Sequence, residues 1–399
     1  MLLSWQSHQE YKAFLHRAKV YFDPSLRHKL FQLSAIRDKL VSLNLDPVME
    51  HISVFYPKDG RPALHQPQIF RSFILYAFLR SEKLICCGLT KWVNVILPSD
   101  PVYCALIGCS PDSLPPLGSY YDMMNRLWLM NDRSRYSRTK TFPASKNKKK
   151  PDKPSGKGQK ASDHNGITKK LVPYLINGGD IRFNFESVLQ DILLIAAVRP
   201  SIRKGLISSE SLTLSGDGTC VHTHASCFGH RLHSCPYHDT CPDITNCPKH
   251  CSDPDAAFGW DSDINDHYFG YTLYNLSVHN PDAHVDLPLL VRYTEARRHD
   301  SVNGIVALHE FRKHAPDISV KNVCLDSAND NYPTYDLLKR WGFNPFIDLN
   351  KRTGRPDAVP ERINIDADGT PLCNAGHRMV FWGYDRCKHA IKWRSPCVL

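Results

Sequence analysis

Leu212-Thr213-Leu214-Ser215-Gly216-Asp217-Gly218-Thr219 is the stretch on which the fold turns. Apolar and polar residues alternate in it, the period of a strand with one covered face, and the run breaks at an aspartate flanked by glycines. The alternation predicts a short strand that ends at Asp217, with the carboxylate anchored by a sheet and open to solvent. An acid placed in this way can bind Mg²⁺ together with substrate phosphate and water. Taken alone, an aspartate that opens a loop is more often a turn former or a helix cap, so its neighbours have to decide its role.

Downstream, strand patterns recur at 268–278, 287–294, 320–325 and 345–349, with helical patterns at 303–314 and 330–341 between the later ones. The run Val320-Lys321-Asn322-Val323-Cys324-Leu325 closes on Asp326 just as the earlier one closes on Asp217. Three strands followed by alternating helices and strands predict an α/β layer fold with a mixed sheet. Two acids on neighbouring strands can share metal ions about 3.5–4 Å apart, which suits in-line attack on a phosphodiester. Upstream of the first strand a helix is expected over 185–198, closing at Arg199-Pro200.

Residues 1–136 read as an all-helical domain. A helix is expected to start at Pro67, where a missing N–H costs nothing, and to run to Arg80, with Ile69, Phe70, Phe73, Ile74, Ala77 and Phe78 on one packing stripe. Further helices near 88–97 and 117–130 leave room for a helix-turn-helix-like pair, although periodicity cannot select a DNA-reading helix. From 137 to 170 the chain becomes Lys-, Ser-, Pro- and Gly-rich, the composition of a flexible linker and a domain boundary. Eleven Lys or Arg against Asp152 and Asp163 between Arg138 and Lys170 give this stretch +9 of the formal +10. Lys146, Lys148, Lys149, Lys150 and Lys153 are therefore the candidate phosphate contacts, and a solvated linker that binds nothing is the alternative.

Fourteen cysteines in a chain expected to lack an export signal, and with many histidines nearby, favour metal binding by reduced thiols over a disulfide scaffold. Cys235-x₅-Cys241-x₅-Cys247-x₃-Cys251 is the dense core of a cysteine-rich insert over 220–255, and its four thiolates could fold a loop around structural Zn²⁺. An iron–sulfur cluster is the rival, but the tight x₂ spacings are missing. Cys373, Cys387 and Cys397 resemble half of a second site of this kind. The longest strongly apolar run, 192–198, is far too short to cross a bilayer, so no membrane partner and a cytoplasmic location are expected.

Asp217-Gly218-Thr219, Phe269-Gly270-Tyr271, Ala296-Arg297-Arg298-His299-Asp300-Ser301 and Asp326-Ser327-Ala328-Asn329-Asp330 occur in one order at consistent separations. This ordered set resembles the DDE transposases of bacterial insertion sequences. Their first acid lies in an Asp-Gly-Thr motif, their second closes a later strand, and an Ala-x-x-His-Asp-Ser motif comes between. The segments 56–62 and 69–75 resemble the N-terminal helical domain of the same family, so the likeness covers most of the chain.

The resemblance implies a ribonuclease H-like catalytic domain over 171–399. It implies Asp217 and Asp326 as ligands of Mg²⁺ or Mn²⁺, and cleavage and transfer of double-stranded DNA at element ends and target by a homo-oligomer formed on DNA. Arg298, His299 and Asp300 are its second-tier catalytic candidates, with a polar helix start that positions the Asp326 strand as the alternative. The family's third acid, a Glu on a helix that also carries Tyr, Arg and Lys, has no counterpart after 346–350. Glu361, Asp366, Asp368 and Asp385 are poor substitutes, and a truncated or frame-interrupted product is the expectation. An inactive DNA-binding regulator is the function expected if that loss is complete.

Overall fold

The computed structural model describes residues 2, 4–18, 23–127, 139–140, 167–181, 187–228, 230–231, 249–253, 255–261, 263–348, 364–385 and 390–397. The chain is mixed α/β and divides into two compact units, Met1–Leu349 and Asn350–Leu399. Among the described residues no helix is long and apolar enough to cross a membrane.

The N-terminal part is helical, as its periodicity predicts: α1 His8–Arg17, α2 Pro24–Gln32, α3 Ser34–Ser42, α4 Asp46–Ile52, α5 Gln66–Ser81, α6 Pro101–Ile107 and α7 Leu117–Leu127. The starts are encoded locally. Ser7 and Glu10 form a capping box on α1, and Asp23 and Asp100 cap α2 and α6 in front of a proline at the first helical position. The segment expected as a helix near 88–97 is a single turn, Leu89–Lys91, that widens into a π-turn at Trp92–Ile96. The stripe on α5 is only partly the buried one: Ile69, Leu75 and Leu79 are fully buried, whereas Phe70, Phe73, Ile74 and Phe78 pack on the same core from its edge.

The domain linker expected over 137–170 lies largely outside the described residues, and so do Lys146, Lys148, Lys149, Lys150 and Lys153. Within that span Thr139–Lys140 is a short strand paired with Lys249–His250, and residues 167–170 already belong to α8 Ile167–Ile176, which α9 Ser187–Leu193 follows. The helix expected to close at Arg199-Pro200 instead continues. A π-turn at Leu194–Val198 leads into α10 Arg199–Arg203, with the Arg199 N–H bonded to the Leu194 carbonyl. The wider turn accommodates Pro200, which has no N–H to give and stands at the start of a new helix. Val188, Ile192, Ile195 and Ala196 pack on the helical core, while Leu194 and Val198 belong to the core of the sheet. One continuous helical segment therefore serves both cores, which is why Met1–Leu349 forms one unit.

The main sheet contains β1 Leu212–His222, β2 Ala257–Asp261, β3 Asp266–Asn280, β4 Val285–Glu295, β5 Val320–Leu325 and β6 Asn344–Ile347. The central order is β4-β3-β1-β5-β6, with β2 pairing the start of β3. β1, β3 and β4 are antiparallel, and β5 and β6 run parallel to β1. Helix α11, Asp300–His314, links β4 to β5, and α12, Tyr332–Arg340, links β5 to β6. The parallel pair β5 and β6 needs such a crossover, and a helix provides it. α11 lies over a core of Leu214, Tyr274, Leu276, Leu308, Phe311 and Val323.

The second unit holds the hairpin β7 Val380–Asp385 with β8 Ala390–Arg394, preceded by the bridged turn from Leu372 to Arg378.

Candidate active site

β1 does not end at Asp217, as its pattern suggests; it continues to His222. The antiparallel ladder with β3 runs from Ser215–Ser277 to His222–Gly270. The parallel ladder with β5, in contrast, stops at Gly216–Leu325. Asp217 is thus the first residue of β1 without a parallel neighbour, and the next residue after β5 is Asp326. The same register sets the two acids side by side across strands about 4.8 Å apart. Strand alternation puts Asp217 on the face opposite Gly216, the face where Ser215 Oγ meets Ser277 Oγ at 3.0 Å. Asn275, the cross-strand partner of Asp217, completes this face with a buried Oδ1 that no hydrogen bond satisfies.

Asp326 is held from behind. Asn329 donates its amide to Asp326 Oδ1 at 2.7 Å and its backbone N–H to the Asp326 carbonyl at 3.1 Å, in the 3₁₀ turn Ser327–Asn329. Asn329 is fully buried and its Oδ1 has no partner.

Asp300 approaches from the other side of β1. It stands in the first turn of α11, and His299 caps that helix, its Nδ1 accepting from the Ser301 N–H at 3.3 Å and lying 2.9 Å from Ser301 Oγ. A Cβ added at Gly218 would lie 2.6 Å from Asp300 Oδ1, so glycine is what lets the carboxylate reach the strand. Burial raises the Asp300 pKa first, and the negative charges of Asp326 and, less strongly, Asp217 add to it; His299 and a hydrogen bond from Asn303 oppose the rise. Asp300 therefore feels the charge of both other acids. Among the described residues, however, no group of three or more His, Cys, Asp or Glu is assembled to hold a metal ion.

Beneath the acids lies the Tyr274 hydroxyl, fully buried and without a hydrogen-bond partner. A Cβ at Gly216 or at Gly304 would lie 2.8 Å from it. Burial pushes its pKa up, and the charges of Asp300, Asp326 and Asp217 push it further in that order.

No family model matches this chain, and neither does any curated protein or solved structure. What its site can do rests on its own residues. The candidate donors are all oxygen: the carboxylates of Asp217 and Asp326, with the unsatisfied Oδ1 of Asn275 across the ladder from Asp217. That set suits a hard cation such as Mg²⁺, which takes one or two carboxylates and keeps several waters. Cys235, Cys241 and Cys247 lie outside the described residues; Cys251 is buried. Glu361 lies outside them as well. Asp366 and Asp385 are paired within the second unit, Asp366 with Arg378 at 2.6 Å and Asp385 with Lys392 at 3.2 Å.

Asn329, Tyr274 and the glycine pair of Gly216 and Gly218 carry no site assignment in the sequence. A signal for the glycines exists there: glycines at alternate positions of a strand mark a close approach, here of a ring hydroxyl and a carboxylate. Tyr274 and Asn329 look like core and turn residues until the fold brings them under the acids.

Proposed function

We propose that the protein is a DDE-type transposase that binds the ends of its own insertion sequence and breaks DNA phosphodiester bonds with Mg²⁺ or Mn²⁺. The observation that carries this assignment is the juxtaposition of Asp217 and Asp326 where the parallel ladder stops. Three antiparallel strands followed by two helix-linked parallel strands support the ribonuclease H-like description of the sheet.

In this account Asp217 and Asp326 hold the metal. Held there, Mg²⁺ would supply the Lewis acidity that activates water or a DNA 3′-hydroxyl and neutralises charge on the leaving oxygen. The chain supplies the rest. Asn329 fixes the rotamer of Asp326, Asp300 adds negative potential from behind Gly218, and His299 anchors the helix that carries Asp300. The basic stretch 138–170 supplies counter-charge for DNA phosphates, so affinity should fall steeply with salt and less steeply once that stretch is deleted.

A second function rests on the sequence, where the family's third acid on a Tyr-, Arg- and Lys-bearing helix has no counterpart after 346–350. A chain that binds element ends without cutting them would act as a regulator of an active copy. Metal-dependent cleavage of end-bearing DNA, lost on Asp217→Asn, separates the two.

A further inference from the structure

The C-terminal unit, Asn350–Leu399, has to hold its shape without a core among its described residues. None of residues 364–385 and 391–397 is buried, and Ile365, Val380, Phe381, Trp382, Tyr384 and Ile391 are exposed. A unit this small buries too little apolar surface to offset its chain entropy, and natural solutions at that size add a disulfide or a metal.

A pair of thiols stands where such a staple is needed. The Leu372–Arg378 bridge is closed by a tight turn in which the Cys373 N–H donates to the His377 carbonyl at 2.8 Å and the Gly376 N–H donates to the Cys373 carbonyl at 2.8 Å. Gly376 takes a φ of +79°, which suits glycine. Beyond β8 the chain returns past this turn and brings Cys397 Sγ to 3.8 Å from Cys373 Sγ. Cys373 is half-buried and Cys397 exposed, and neither is in a disulfide. Against the desolvation that would raise it, the backbone N–H groups of His377 and Ala375, with the side chains of Ser395 and Cys397, hold the Cys373 thiol below its usual range. N–H groups aimed at a sulfur favour the thiolate, the form that binds metal.

Two thiolates bound to one tetrahedral Zn²⁺ at about 2.3 Å are separated by about 3.8 Å, the edge of the tetrahedron. We propose that Cys373 and Cys397 bind one Zn²⁺ ion through their thiolates and that this ion staples the C-terminal unit. Binding releases the two thiol protons to solvent, and water completes the coordination on the exposed side, beside Cys397. Soft sulfur donors select Zn²⁺ over Mg²⁺ or Ca²⁺, so the site is chemically distinct from the oxygen site of Asp217 and Asp326 and does not depend on its function.

The test is alkylation of the full chain by iodoacetamide, with the modified cysteines read by mass spectrometry, in the presence of Zn²⁺ and after its removal by a chelator. Cys373 and Cys397 should be protected together by Zn²⁺ and become reactive together without it. Cys373→Ser and Cys397→Ser should each lower bound zinc by one ion per chain, while Cys86→Ser leaves it unchanged. Equal reactivity of the two thiols with and without Zn²⁺ would overturn the proposal and leave a free dithiol. This comparison needs no variant, so a misfolded mutant cannot mask it.

Discussion

The side-chain amide of Asn329 donates to Asp326 Oδ1 at 2.7 Å from a position that no solvent reaches. A hydrogen bond to a charged group contributes about 1.5–3 kcal/mol, and this one also sets the direction in which the carboxylate points. Asn329→Ala should destabilise the chain by about that amount in urea unfolding and weaken Mn²⁺ binding at the acids. A stability loss with unchanged Mn²⁺ affinity would mean that Asn329 serves packing alone.

Tyr274 offers the converse case. Its buried hydroxyl has no partner, and an unsatisfied buried polar group costs about 1–3 kcal/mol. Tyr274→Phe should therefore leave stability unchanged or raise it. Gly216→Ala, which would set a Cβ 2.8 Å from that hydroxyl, should destabilise the chain. The cost expected of such overpacking is about 1–3 kcal/mol, and it should shrink when Gly216→Ala is combined with Tyr274→Phe. A destabilised Tyr274→Phe would reveal a bound water or other partner for the hydroxyl.

Much of this was written in the sequence. The alternation of Leu212, Leu214 and Gly216, the apolar run into Asp326 and the two helical patterns between strands were enough to expect a mixed sheet carrying two neighbouring acids. The end of β1 was not legible, because the antiparallel partner β3 extends the strand past Asp217 to His222 and only the parallel partner stops. Pro200 read as a terminator for a similar reason: local propensity cannot foresee a π-turn stabilised by packing on two cores. The closeness of Asp300 to Gly218 is a tertiary fact, since the two residues lie on elements that meet only after β3, β4 and α11 have packed.

Asp300 makes stability depend on pH. Burial and the charge of Asp326 raise its folded pKa above the unfolded value, so unfolding releases its proton as pH rises through the ordinary carboxyl range. Stability contributed by the protonated form is present at low pH and lost as pH climbs through the folded pKa. Asp300→Asn removes that loss. Its melting temperature should match the parent in acid and exceed it at neutral pH; a parallel pair of curves would show that Asp300 is not charged against Asp326.

The same sign recurs at His314, in a higher pH window. Its Nδ1 lies 2.7 Å from Asp191 Oδ1, and this hydrogen bond, partly offset by desolvation, raises the His314 pKa. The facing groups are Glu310, which adds to the rise, Lys313, which opposes it, and His51, whose Nε2 lies 3.3 Å from Asp191 Oδ2 outside hydrogen-bond geometry. The stabilisation is complete below the unfolded histidine pKa and fades as pH rises through the folded one. His314→Ala should cost about 1.5–3 kcal/mol in mild acid and less above neutrality, measured by denaturant unfolding across that range. A cost that does not change with pH would show that His314 contributes by packing and not by its charge.

Strand cleavage of duplex DNA bearing the element's ends, in Mg²⁺ or Mn²⁺, by the parent chain beside Asp217→Asn and Asp326→Asn tests the central claim most directly. Metal-dependent cleavage by the parent is expected, with a loss of about a hundredfold or more in each variant, the scale of several kcal/mol of metal-held charge stabilisation. Cleavage by the variants at the parental rate, or DNA binding by the parent with no cleavage under either metal, would contradict it.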